Sequence, residues 1–383
     1  MTYSPNAIVT IGATNYTDKT INGVSISFGR SQIWEQARAS VATVSLVSPN
    51  GTAIAVDIDS TLTVSIEDSV GDPVTIFTGK VSQVNNSIAA NGEVGVLTVT
   101  TIQAYGPFAQ MSRTVINATA FPKEYDDDRM DRILTAAGVT IDIVDTPGVY
   151  ELTAKDNGRT DAYSLAAQYA QMVSGYIYET TDYKVGYANE ARRLNDIQDN
   201  GYTNLDLDAI LSAGLQSSRT RSNIINSLTL KYKNDQSVSA SDASSISLYG
   251  VSASTLTTEL EQTVEAQALA NRYINLLSLP ETSLGAISIQ LANPNVSSVQ
   301  LDALIAMRLG FPISLTGLPD AIYEDGYVGF VEGWNWTINR WSAQLNLTTT
   351  EATLSIAPTR WQDVDPATAW EDVDVAVQWY EYE

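Results

Sequence analysis

The chain has 383 residues, 44% of them hydrophobic, which is enough for two or three domains with buried cores. Asp and Glu number 44 against 21 Lys and Arg, a net charge of −23 that repels nucleic acid and anionic membranes and, with no basic stripe to interrupt it, excludes DNA readout. The lack of cysteine and histidine removes disulfides, thiol nucleophiles, the usual zinc ligand and the Ser-His-Asp triad.

The opening Met1-Thr2-Tyr3-Ser4-Pro5-Asn6 has neither the basic start nor the apolar core of a signal peptide, and no apolar run approaches the ~20 residues of a membrane span. Residues 1–110 read as strand after strand. Val24, Ile26 and Phe28 alternate with serines, as do Ala42, Val44 and Leu46 with Thr43 and Ser45, and Leu62, Val64 and Ile66 repeat the pattern. Two more runs follow at 74–84 and 94–102, with turn signals at Pro49-Asn50-Gly51, Gly71-Asp72-Pro73 and Asn91-Gly92. Short punctuated antiparallel strands predict a sandwich or small barrel.

Residues 111–220 read as a mixed α/β module. A helix is predicted from Asp126 to Gly138, acidic in its first turn. A second runs from Asp161 to Ser174, with Leu165, Tyr169 and Val173 on one face. Two strands around Thr181-Asp182 follow, Tyr176 and Tyr178 facing Val185 and Tyr187.

Strand texture returns over 221–355, broken by an inserted helix at about 257–279. Its start is placed near Thr258, in a capping box with Glu261, its apolar face on Leu260, Val264 and Ala268, and its end at Pro280. The two strand-rich regions match in order. Val24-x-Ile26-x-Phe28 pairs with Leu228-x-Leu230-x-Tyr232, Val44-x-Leu46 with Ile289-x-Leu291, and Leu62-x-Val64 with Ile313-x-Leu315. Phe77-Thr78-Gly79 pairs with Phe330-Val331-Glu332-Gly333, and Leu97-x-Val99 with Leu345-x-Leu347. Five pairs in one order predict a duplicated barrel.

Two acidic clusters have the oxygen ligands a hard cation takes, Asp126-Asp127-Asp128 and Asp206 with Asp208, but neither has the ligand spacing and glycine bend of a calcium loop. The first suits a helix N-terminus instead. No pair among the 44 acids is marked out as a glycosidase couple, and phosphate loops and dinucleotide fingerprints are absent. No metal, cofactor or catalytic residue is therefore assigned, and no enzyme is expected. The closing arm, 356–383, carries Trp361-Gln362-Asp363-Val364-Asp365, then Trp370-Glu371-Asp372-Val373-Asp374, then Trp379. Trp361, Trp370 and Trp379 are candidate docking anchors for a neighbouring surface; the alternative is that they fold back on this chain's own barrel.

Several stretches together resemble phage minor tail and baseplate-hub proteins. They are Phe28-Gly29-Arg30-Ser31, the helix and tyrosine-rich hairpin of Ala162 to Arg193, and the segment from Ser247-Leu248-Tyr249-Gly250 to Leu279-Pro280. The closing hairpin from Gly329 to Ile338, with Trp341 leading into Gln344-Leu345-Asn346-Leu347, completes the set. The resemblance implies a mainly β fold with α/β insertions: two tail-tube-like β-barrel domains plus a mixed α/β module. It implies a homotrimeric hub at the virion's tail tip, made in the host cytoplasm, that matches the sixfold tube to a threefold tip. Partners implied are the distal tail protein ring, the end of the tape-measure protein, tip or fibre proteins, and DNA passing during ejection without sequence-specific binding. Acidic residues on the channel wall would let the DNA slide, unless they merely cover the outer surface. The alternative function is a receptor- or carbohydrate-binding tail-tip adhesin, which would expose aromatics in loops around a concave site; Trp34 is the tryptophan outside strand runs and arm.

Overall fold

The structure, a computed structural model, describes residues 7–16, 21–92, 95–117, 119–211, 214–280, 282–323, 326–340 and 342–356. Trp341 and the three arm tryptophans, Trp361, Trp370 and Trp379, lie outside the described residues. The fold is mostly β, organised by one large curled sheet that is antiparallel but for one pair, with seven α-helices among the described residues.

The first region supplies β1 (Ala7–Ile11), β2 (Thr14–Tyr16), β3 (Ile21–Gly29), β4 (Val41–Ser48), β5 (Thr61–Glu67), β6 (Pro73–Gly92) and β7 (Gly95–Tyr105). Their order in the sheet is β3-β4-β7-β6-β5-β1-β2. Period-2 alternation does what it predicts here: Val24, Ile26 and Phe28 are buried in β3 while Ser25 and Ser27 face water. The middle region holds α1 (Asp126–Ala137), α2 (Ala162–Met172), β8 (Tyr176–Glu179), β9 (Val185–Ala188) and α3 (Arg192–Asn200). α1 ends on Gly138 at φ +67°, and α2 starts where the Asp161 side chain accepts from Ser164 N. In the hairpin Tyr176 lies opposite Ala188 and Tyr178 opposite Gly186, so the expected facing pairs are one residue out.

Further along come β10 (Thr203–Asp206), β11 (Ser227–Tyr232), β12 (Gln236–Ser241), β13 (Ala253–Thr257), α4 (Thr263–Leu277), β14 (Ile287–Gln290), β15 (Pro312–Thr316), β16 (Tyr327–Asn339) and β17 (Ser342–Glu351). α4 starts five residues after the predicted Thr258. Residues up to Thr257 are paired into β13, Leu260 bridges Leu152, and Glu261 N donates to Glu151 O, all of which hold 258–262 extended. The buried face is Ala266, Leu269, Ala270 and Ile274; Val264 is 81% exposed, so the predicted face is out of phase with the helix that forms.

The two strand-rich regions do share a strand order. β4-β7-β6-β5 in the first matches β14-β17-β16-β15 in the second. Each central strand carries a bulge at the same place: Ser82 is extra between Val81 and Gln83, and Glu332 is extra between Val331 and Gly333, an offset of 332 − 82 = 250. Gly79 and Gly329 obey that offset too. Phe77 lies across the first and Tyr327 across the second, each ring covering the glycine two residues on. The sequence pairing of Phe77-Thr78-Gly79 with Phe330 to Gly333 is therefore out of register, Phe77 matching Tyr327 rather than Phe330, because short alternating runs resemble one another at many shifts and only the bulges decide. The first predicted pair is not part of the shared order. β11, the proposed counterpart of β3, pairs with β12 and β13 in a separate three-stranded sheet.

The two regions meet at β3, which pairs with β16 from Gly29 opposite Gly333 to Val24 opposite Ile338. One cluster of buried apolar side chains runs from Val9 through Ile133 and Leu165 to Leu347, so strands and helices share a core. Among the described residues no helix is long and apolar enough to cross a membrane.

Candidate functional site

The β3–β16 joint brings together three charged side chains far apart in the chain. Arg30 follows β3, Glu332 is the bulge residue of β16, and Arg193 sits in the first turn of α3. A bulge re-aims its side chain, and here it aims a carboxylate inward, where it is 0% exposed. Arg30 Nε donates to Glu332 Oε2 at 2.7 Å and Arg193 Nη2 donates to the same oxygen at 2.9 Å. Arg193 Nη2 also lies 2.8 Å from Oε1. The strands close tightly enough that a Cβ on Gly29, at φ +86°, would collide with the Glu332 carbonyl oxygen and lie 2.6 Å from Gly333 Cα. Gly29 is required on both counts.

Aromatic rings take up the rest of the arginines' surface. Both guanidiniums lie over Tyr176, at 5.2 Å and 5.3 Å from its centroid, and Arg193 also covers Phe330 at 4.9 Å. Burial pushes the Glu332 carboxyl up, but the Arg193 and Arg30 charges beside it outweigh burial and hold it below the usual carboxylate range. Burial lowers Arg30 despite Glu332, whereas for Arg193 the Glu332 charge and Tyr176 prevail over burial and raise it.

Arg30 and Arg193 form part of the wall of a cleft of about 370 Å³ between β3, the hairpin β8–β9, β11 and α4. Arg272 of α4 contributes a third guanidinium, 3.1 Å from Glu190, and donates to Ser355 O at 2.7 Å. Three guanidiniums against Glu332 and Glu190 leave one positive charge (3 − 2 = 1) in a chain of net charge −23. The apolar side of the cleft is a small separate cluster in which Trp34, Ile225 and Tyr273 pack on buried Leu276, Leu277 and Leu354. Trp34 and Tyr273 have ring centroids 6.1 Å apart. The cleft thus sets guanidinium groups beside flat apolar surface.

The acidic clusters do other work. Asp126 is buried and accepts from Val149 N, Tyr150 N and the Tyr187 hydroxyl at 2.7, 2.8 and 2.7 Å, while Asp127 accepts from Gly148 N at 2.8 Å. Together they clasp the 148–150 loop to the start of α1. Asp206 accepts from the Thr316 hydroxyl across the β10–β15 pair, and the Asp208 carbonyl accepts from Asn293 at 2.8 Å. Arg30, Arg193 and Glu332 all fall inside the resembling segments, with no sequence signal that joins them. Nothing in one dimension pairs residues 302 positions apart.

No family model and no curated protein matches the sequence. Solved structures do match. The tail protein from Neisseria meningitidis MC58 superposes with a TM-score of 0.66 at 11% identity, over 92% of this chain and 98% of that one. The chain has the fold of phage tail proteins. The 43 kDa tail protein of prophage MuSo2 from Shewanella oneidensis aligns over 92% of this chain and 100% of its own, with a TM-score of 0.62 and 11% identity. A third match, at a TM-score of 0.50 and 10% identity over 92% of this chain and 79% of that one, is the E. coli c3393 protein. That protein is described as a type VI secretion component structurally similar to the T4 bacteriophage tail proteins gp27 and gp5. At these identities the likeness speaks for the tail-protein fold alone.

Proposed function

We propose that the chain is a structural, non-enzymatic hub at the tip of a phage tail, made in the host cytoplasm and assembled into the virion. In this reading it has two tube-like barrels, 1–110 and 221–355, with the mixed module 111–220 between them and the arm 356–383 beyond. Three chains form a ring of six barrels that joins the sixfold tube and distal ring to a threefold tip and encloses part of the DNA ejection channel. The tape-measure end and tip or fibre proteins dock on it.

One observation supports this most. β16 changes partner at its bulge, pairing with β15 before Glu332 and with β3 after it. The equivalent strand β6 pairs with β5 up to Lys80, but residues 83–88, which correspond to 333–338, carry no strand on that edge among the described residues. An unpaired edge of this kind is a template for another chain. If a neighbouring chain repeats there the joint that β3 makes with β16, three copies close a ring of six quasi-equivalent units with residues 83–88 paired in every chain. The test is a density map of assembled tails. Three copies per ring, with a strand of the neighbour on residues 83–88, are expected; six copies, or a bare edge in the ring, overturn the proposal.

A further inference from the structure

The cleft has a candidate occupant in the chain itself. Leu354 and Ser355 are part of its wall, so the described chain ends at Ile356 beside it. The residues that follow, 357–383, contain seven carboxylates against the single basic Arg360, and three tryptophans. The cleft offers the complement: an excess guanidinium charge from Arg30, Arg193 and Arg272, and an aromatic floor from Trp34 and Tyr273. We propose that the first block of the arm, Trp361 to Asp365, seats in this cleft of its own chain, the Trp361 indole on Trp34 and Tyr273 and the Asp363 and Asp365 carboxylates toward Arg272 and Arg193. The proposal depends on the cleft and the arm alone and holds whether or not the tail reading does.

Reach permits it. Trp361 is six residues past Ser355, up to about 20 Å of extended chain. The 17 residues after Pro366 (383 − 366 = 17) could reach up to about 55 Å if extended. Trp370 and Trp379 are thereby free to meet a neighbouring surface, while Trp361 fixes the direction in which the arm leaves. On this proposal Trp361 folds back on its own chain, and Trp370 and Trp379 are left for a neighbouring surface. An acidic, aromatic segment tethered beside its site binds at high effective concentration, so modest contacts suffice.

The absence of native cysteine makes the test direct. Ser222 is exposed at the cleft and Gln362 lies next to Trp361, so Ser222→Cys with Gln362→Cys in the full chain reports seating as an intramolecular disulfide. Ser87→Cys with Gln362→Cys, from the exposed end of β6, is the control. At dilute protein and mild oxidation the cleft pair is expected to close about tenfold faster than the control, and to lose most of that advantage when Trp361→Ala is added. Equal rates for the two pairs, or disulfides formed chiefly between chains, overturn the proposal. Asn223→Cys, also exposed at the cleft, replaces Ser222→Cys should that variant fold poorly, and the same two outcomes decide.

Discussion

Replacing Glu332 with Gln leaves two guanidiniums in the core with no carboxylate between them. In the native structure the Arg30 and Glu332 side chains are 2% and 0% exposed, and Arg193 is 5% exposed, so solvent screens neither pair. At an effective dielectric of about 20, charges about 4 Å apart attract by about 4 kcal/mol per pair, most of which offsets the desolvation of the same groups. Removing the shared acid keeps that desolvation cost and adds repulsion between the two arginines, so Glu332→Gln is expected to destabilise by about 3–5 kcal/mol. Urea unfolding followed by circular dichroism measures it, and the loss should persist at 0.5 M salt because the pairs are buried. The triple variant Arg30→Met, Arg193→Met, Glu332→Leu should recover most of the loss, since an apolar set costs no charge burial. A loss below about 1 kcal/mol for Glu332→Gln, the range of a surface pair, would refute the reasoning.

A second carboxylate has the opposite sign. Glu179 accepts from Ser40 N at 2.6 Å and Phe108 N at 2.5 Å, yet burial outweighs those bonds and pushes it up to about 7. A raised carboxyl contributes stability that is full below its unfolded value and is lost as pH rises through the folded one. Stability should therefore fall between about pH 4.5 and 7 by on the order of 3 kcal/mol, and Glu179→Gln should flatten that slope in thermal melts. Glu332, held low, contributes stability above its unfolded value and loses it only in stronger acid, so Glu332→Gln should leave the neutral-range slope unchanged. Gly29→Ala forces φ +86° on a side chain that meets Glu332 O, and should cost about 3 kcal/mol or more, with faster amide exchange along 24–29 and 333–338. Truncation after Thr359 should leave circular dichroism and unfolding midpoint nearly unchanged while lowering incorporation into tails several-fold; assembly at full-length levels would make the arm dispensable.

How much of this was legible in one dimension depends on range. Strand alternation in β3, β4 and β5, the Asp161 cap of α2 and the Gly138 end of α1 rest on neighbours within a few residues, and they fold as read. The tail-protein resemblance was also visible, because the order of elements survives at 11% identity when individual residues do not. The α4 start was not, since its capping signal at Thr258 lost to strand pairing with β11 and the Leu152 bridge, contacts made across more than twenty residues. The register of the repeat was equally hidden, for short alternating runs match one another at many shifts until the bulges at Ser82 and Glu332 pin it. Composition determined by itself what this chain cannot use, thiols and imidazoles, and charge determined that it is strongly acidic overall. Only the tertiary structure decided that Arg30, Arg193 and Glu332 share a buried site, because low dielectric turns three ordinary residues into a paired unit only once folding has removed the water between them.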